Sequence, residues 1–168
     1  YVFTNLEKVE IALNGKSLGS FLPGQFPGNV VSLRIPYEPG NIKAFASSTT
    51  ATAEHGLITA GSPSKILVET VEYPEASNYD GVIQCIISIC DEKDVPCPVS
   101  GINIRAIFDK NIRFLGADNG ELSDHQLFTE PSRLTNNGQC LFVFKRKVDT
   151  VPYNLRFEAD GLEPYNVP

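Results

Sequence analysis

The sequence contains no methionine, no tryptophan and only two histidines, His55 and His125. Without tryptophan it lacks the broad aromatic platform that sugar-binding sites commonly use. With two histidines, imidazole-based catalysis or metal ligation is confined to two neighbourhoods. No apolar run approaches the ~20 residues of a membrane-spanning helix, so no membrane insertion is expected, and no targeting segment is visible. There is no G-x-x-x-x-G-K-[ST] or G-x-G-x-x-G string, which excludes the common phosphate and dinucleotide cradles. No G-x-S-x-G turn is present to strain and activate a serine. Positive charge is also scarce: 14 basic side chains stand against 20 acidic ones, a net charge of −6. An acidic surface repels phosphate backbones, so nucleic acid is not an expected partner. The one basic cluster, "KRK" at 145–147, reads as a solvated strand end.

An open reading frame starts with methionine, so a chain that has none and opens on Tyr1 reads as a piece of a longer protein. Its 168 residues suffice for one medium domain or two small ones. At 42 % apolar and 20 % charged, it has an ordinary globular composition. The charge is unevenly placed. Residues 1–61 carry four basic and four acidic side chains, and residues 62–168 carry ten and sixteen.

Nearly every segment reads as strand or turn. In "VEIALNGKSLG", Val9, Ile11 and Leu13 alternate with Glu10 and Ala12, the period of a half-buried strand. Asn14-Gly15 follows, a strong hairpin signal. "VVSLRIPYEPGNIKAFAS" repeats the pattern: Val31, Leu33 and Ile35, then a turn, then Ile42, Ala44 and Ala46. Pro36 and Pro39 exclude a helix there. A further strand is expected around 51–59, and "AGSP" at 60–63 reads as a joint between domains 1–61 and 62–168. The first holds about five strands, and at ~60 residues is marginal as an independent core. It is expected to lean on the second domain or on sequence outside the chain. The second holds "KILVETVEY", "GVIQCIISIC", "INIRAIF", "IRFLG", "GQCLFVFKRK" and "YNLRFEADG", about seven strands with turn signals between them. That spacing is the signature of an immunoglobulin-like sandwich. "SRLTNNG" reads as loop, or one helical turn. The fold expected is all-β, two immunoglobulin-like β-sandwich domains in tandem.

Cys85, Cys90, Cys97 and Cys140 form an even set compatible with zero, one or two disulfides. Their spacing lacks the paired C-x2-C of a zinc site. Cys90 and Cys97 flank the turn "DEKDVP" and can meet across it. Cys85 and Cys140 sit among apolar neighbours, either as small hydrophobes or as a bridge between the sheets. Nothing links either histidine to a cysteine, which speaks against a catalytic thiol.

The densest polar stretch is "FLGADNGELSDHQ", 114–126, with Asp118, Asn119, Glu121, Asp124 and His125. Carboxylates beside a histidine suit metal binding or acid–base chemistry, but the EF-hand order D-x-[DN]-x-[DN]-G is not met. Asn119-Gly120 is a turn dipeptide, and Asp118 suits an Asx-turn. The stretch therefore reads as a turn in which Asp118, Ser123, Asp124 and His125 bond the backbone. His55, in "AEHGL", reads as a surface residue at a strand end. The six tyrosines, Tyr1, Tyr37, Tyr73, Tyr79, Tyr153 and Tyr165, show no clustering that would make a glycan platform.

Taken in order, "VEIALNGKSLG", "IPYEPGNIKAFA" and "ITAGSPSKI", then "ICDEKD", "GADNGELSDH" and "RFEADGL", resemble the C-terminal region of bacterial glycoside hydrolase family 2 enzymes of the β-galactosidase-like kind. The resemblance covers nearly the whole chain and implies two immunoglobulin-like modules that follow the catalytic barrel. It departs from the family pattern at Asp94, where glycine is usual, at Cys97-Pro98, where Val-Pro is usual, and at all four cysteines. The family's catalytic glutamates belong to the barrel, which takes ~250 residues, and no position here matches their motifs. The resemblance thus implies an accessory, non-catalytic region with no catalytic, cofactor-binding or metal residue and no cofactor. Its partners would be the barrel and other domains of the parent chain and a neighbouring subunit through the parent, with carbohydrate a further candidate. The alternatives are a carbohydrate-binding module and a generic extracellular spacer. Export to a bacterial periplasm or cell surface is implied, and an even number of cysteines is compatible with it.

Overall fold

The computed structural model describes residues 1–73, 81–147 and 151–168, and the chain divides into two compact units, Tyr1–Thr59 and Ala60–Pro168.

The first unit holds β1 (Val2–Phe3), β2 (Lys8–Leu13), β3 (Lys16–Phe21), β4 (Val30–Val31), β5 (Asn41–Ser47) and β6 (Thr52–Ile58). The last two are joined by a tight turn, and a four-stranded antiparallel sheet runs β3-β2-β5-β6. β1 and β4 form a separate pair. Asn14 and Gly15 have φ of 51° and 79°, the left-handed pair that a two-residue hairpin needs to match strand twist. The register sets Val9 opposite Ala46, Ile11 opposite Ala44 and Leu13 opposite Ile42, so the alternating apolar residues share one face. Val9, Ile11, Val31 and Ala46 form the small buried core there. The opposite face carries the ion pairs Lys8–Glu10 and Lys43–Glu54.

The strand expected through Ile35 is shorter than its pattern. Only Val30 and Val31 are extended and paired, because β1 offers them just two partners. Pro36 and Pro39 have no N–H to lend to a ladder. Leu33 still packs against the core, so the alternation reported burial correctly and hydrogen bonding incorrectly.

The second unit is a two-layer sandwich. It holds β7 (Lys65–Glu72), β8 (Val82–Cys90), β9 (Asn103–Phe108), β10 (Ile112–Asp118), β11 (Ser132–Leu134), β12 (Gln139–Arg146), β13 (Leu155–Glu158) and β14 (Tyr165–Asn166). One sheet runs β10-β12-β8-β7 and the other β11-β9-β13-β14, all antiparallel. β8 buries Ile83, Cys85, Ile87 and Ile89 and turns the intervening residues outward. Phe142 and Phe144 meet Ile104, Leu155 and Phe157 across the layers, with Phe142 and Phe157 rings 5.1 Å apart at 59°. Each such ring buried contributes roughly 1.5–3 kcal/mol through its apolar area.

Two strands, β11 and β14, are too short to show in the residue pattern. The loop expected at "SRLTNNG" is found only in its second half: Ser132–Leu134 is a strand that pairs with β9, Arg133 opposite Ile104. Three residues are too few to display a period of two. Asn137 and Gly138, with φ of 50° and 81°, then turn the chain into β12.

All four cysteines are free, buried thiols. Cys85 and Cys140 lie on neighbouring strands of one sheet, opposite Phe142 and Ile87 respectively, so a bridge between the layers is excluded. Burial pushes both thiols up to about 12, which leaves them unreactive as nucleophiles. The Cys97 thiol donates to the carbonyls of Gly61 and Val95 and forms no bridge to Cys90.

Asp94 ends the turn after β8 at φ 64°, a conformation that disfavours any Cβ. Its carboxylate reaches Lys65 at 2.7 Å, but it is 61 % exposed, and exposed pairs contribute little. Relief of the backbone should outweigh loss of the pair. Asp94→Gly is expected to raise the melting temperature and Asp94→Ala to lower it; a lower melting temperature for the glycine variant would contradict this.

Candidate functional site

The polar stretch 114–126 begins on β10 and ends in the loop that leads to β11. A buried cation lies beneath it. Arg133, on β11, is 1 % exposed and sends its guanidinium under the loop. Nη1 donates to Asp124 Oδ2 at 3.1 Å and to the Gln126 carbonyl at 3.2 Å. Nη2 donates to the carbonyls of Ala117 at 2.8 Å and Leu127 at 3.0 Å. The Phe128 ring lies 5.4 Å from the guanidinium carbon. Arg133 Nε alone has no partner, so four of the five donors are satisfied. Burying a charge is tolerable only with this degree of compensation.

Asp124 is the counter-charge. It also accepts from the Gln126 N–H at 2.9 Å and from Asn119 Nδ2 at 2.8 Å. These partners, the Gln126 N–H foremost and then Arg133, hold its carboxyl below the usual carboxylate range. Asn119 also donates to the Leu134 carbonyl, tying the tip of the loop to β11. Asp118 makes the expected Asx-turn, accepting from the N–H groups of Asn119 and Gly120. Two expectations fail. The Ser123 hydroxyl donates to the Glu121 carboxylate, not to backbone. His125 is exposed and enters none of the loop's hydrogen bonds.

No group of three or more histidine, cysteine, aspartate or glutamate side chains among the described residues is placed to hold a metal ion. His55 is exposed on β6, opposite Ala44. A glycosidase acid must have its carboxyl pushed up. Every shifted carboxylate among the described residues goes the other way. Asp91 is held low by the N–H groups of Gly61, Val95 and Lys93, Asp109 by Asn111 and Asn154, and Glu121 by Ser123. An apolar cleft of about 230 Å³ in the first unit is lined by Tyr1, Leu33, Ile35, Ile42 and Leu57, with Lys43 and His55 at its edge and no carboxylate. Of the tyrosines, Tyr79 lies outside the described residues.

A second polar cluster explains why "LNG" and "EPGN" occur together. Asn14, in the β2–β3 turn, donates to Glu38 and to the Pro39 carbonyl, and accepts the Asn41 N–H at 2.8 Å. Gly40 passes so close that a Cβ would stand 1.8 Å from Asn14 Oδ1. Its N–H donates to the Thr59 hydroxyl. Three motifs read separately in the sequence are one clasp.

The two units are all-β and antiparallel, and the same fold occurs in known proteins. Residues 1–53 match a family described as a domain of unknown function, DUF4982. No curated protein sequence matches the chain. The fold recurs over 97 % of the chain in a β-glycosidase from Bacteroides vulgatus, at TM-score 0.84 and 24 % identity, covering 21 % of that chain. A glycosyl hydrolase family 2 member from Bacteroides cellulosilyticus gives TM-score 0.87 and 20 % identity, over 97 % of this chain and 21 % of that one. A family 2 β-glucuronidase gives 0.80 and 17 % identity, over 98 % and 17 %. The chain thus has the fold of one part of family 2 glycoside hydrolases and spans about a fifth of the length of these structures.

Four carboxylates held low make the second unit sensitive to acid. Each has a folded-state pKa below its unfolded value of about 4, so the folded state binds fewer protons. The stability they contribute is present above that value and is lost as pH falls through the folded pKa. The melting temperature is expected to fall steeply below about pH 4, and less steeply in Asp124→Asn. An unchanged acid slope in that variant would contradict the assignment.

Proposed function

We propose that this chain is a non-catalytic accessory region of a family 2 glycosidase, β-galactosidase-like in its motifs, which packs against the catalytic part of its parent or against a neighbouring subunit. The observation that carries this reading is the destination of the polar groups. The densest carboxylate cluster is consumed in neutralising Arg133 and closing turns, and among the described residues no carboxyl is raised towards the range of a general acid. The shared fold with a part of several family 2 enzymes supports the same reading. Fold alone does not assign chemistry.

The 168-residue chain, incubated with chromogenic β-galactosides and β-glucuronides, is expected to give no turnover above a buffer blank. In the parent enzyme, Glu121→Gln is expected to leave kcat and KM within about twofold of wild type, less than about 0.5 kcal/mol in barrier. Hydrolysis by the isolated chain, or a hundredfold loss in kcat from Glu121→Gln with stability unchanged, would contradict the proposal.

A further inference from the structure

The loop that closes over Arg133 is built inside out. Asp124, Asn119 and the carbonyls of Gln126 and Leu127 point inward to the guanidinium or to one another, while its large apolar side chains are left outside. Leu122 is 100 % exposed, Leu127 63 % and Phe128 62 %. Leu122 sits within the turn closed by the bond from the Asp124 N–H to the Glu121 carbonyl. Leu127 lends its carbonyl to Arg133, and Phe128 rests its ring over the same cation. Three large apolar side chains within seven residues are thus presented on a frame fixed by a buried ion pair. Such a surface loses little ordering entropy on docking, and large apolar side chains held out on one fixed loop are candidates for an interaction site.

Charge narrows the partner. There is no lysine or arginine between Phe114 and Glu130, while Asp118, Glu121 and Glu130 are exposed around the apolar residues. Asp124 is already neutralised by Arg133. A matching surface is apolar at its centre and basic at its rim. The matched structures are about five times as long as this chain, and a partner on the same polypeptide has an effective concentration far above that of a free protein. We propose that the loop 121–130 is the docking surface by which the second unit seats against another domain of its own parent chain, one that presents an apolar patch rimmed by lysine or arginine. The inference rests on the accessory reading above.

The four native cysteines are buried, so a cysteine placed on the loop is a clean reporter. Leu122→Cys is made in the parent protein and in the 168-residue chain, and alkylation at that position is followed by peptide mass. Labelling is expected at the rate of a free thiol in the short chain and about tenfold or more slower in the parent, as for a site that must open to react. Glu130→Lys in the parent should restore fast labelling by opposing the basic rim. Equal rates in parent and short chain overturn the proposal. Slow labelling in the short chain that deepens with protein concentration also overturns it, because the occupant is then a second copy. Glycoside hydrolysis by the short chain would sink the accessory reading and leave the labelling comparison standing, so the two fail separately.

Discussion

A guanidinium taken out of water is the constraint around which the end of the second sandwich is arranged. Arg133 sits on a three-residue strand, with four of its donors satisfied by one carboxylate and three carbonyls. Those carbonyls belong to Ala117, Gln126 and Leu127, so β10, the loop and β11 converge on a single side chain. Removing one partner of a buried ion pair typically costs about 3–5 kcal/mol, because the remaining charge stays buried. That is a large share of a domain's net stability of roughly 5–15 kcal/mol. The loop's acids are therefore accounted for by structure before any chemistry is asked of them.

The same logic runs through the other polar clusters. Asn14, Asp91 and Asp109 each spend their side chains on backbone N–H groups that the turns would otherwise leave open. Asp91 in particular accepts from Gly61 and from both arms of its own turn, fixing where the second unit begins. Hydrogen bonds to a charged acceptor are worth about twice a neutral one, so acids at turns are an efficient way to hold a sandwich whose strands are short. An acid used in this manner is pulled down in pKa, the opposite of what proton donation to a glycosidic oxygen requires.

Much of the fold was legible in the sequence, for identifiable reasons. Val9, Ile11 and Leu13 alternate and are followed by Asn-Gly, and the structure places a strand and a left-handed turn there. β8 and β12 are long enough for period two to stand out. Where the pattern misled, hydrogen-bond supply was the missing information: Leu33 and Ile35 alternate, but no ladder extends to them. β11 and β14 were too short to carry any period. The turn is legible in the residues of the polar loop, but Arg133, the residue that organises it, is not. Arg133 lies seven or more residues from the patch, in a segment read as loop, and an arginine is ordinarily assigned to the surface. The signal available was the excess of acid in 118–124 with no base nearby to balance it. The departure at Asp94 was legible too, and its positive φ shows why glycine would suit that position.

The most direct test of this account is the coupling between Asp124 and Arg133. If the role of Asp124 is to neutralise a buried cation, its loss is harmful mainly while that cation remains. The melting temperature of Asp124→Ala/Arg133→Met should then be no lower than that of Asp124→Ala alone, because methionine replaces the stranded charge with apolar volume. Losses that simply add in the double variant would contradict the account and return Asp124 to the status of an acid without a structural purpose.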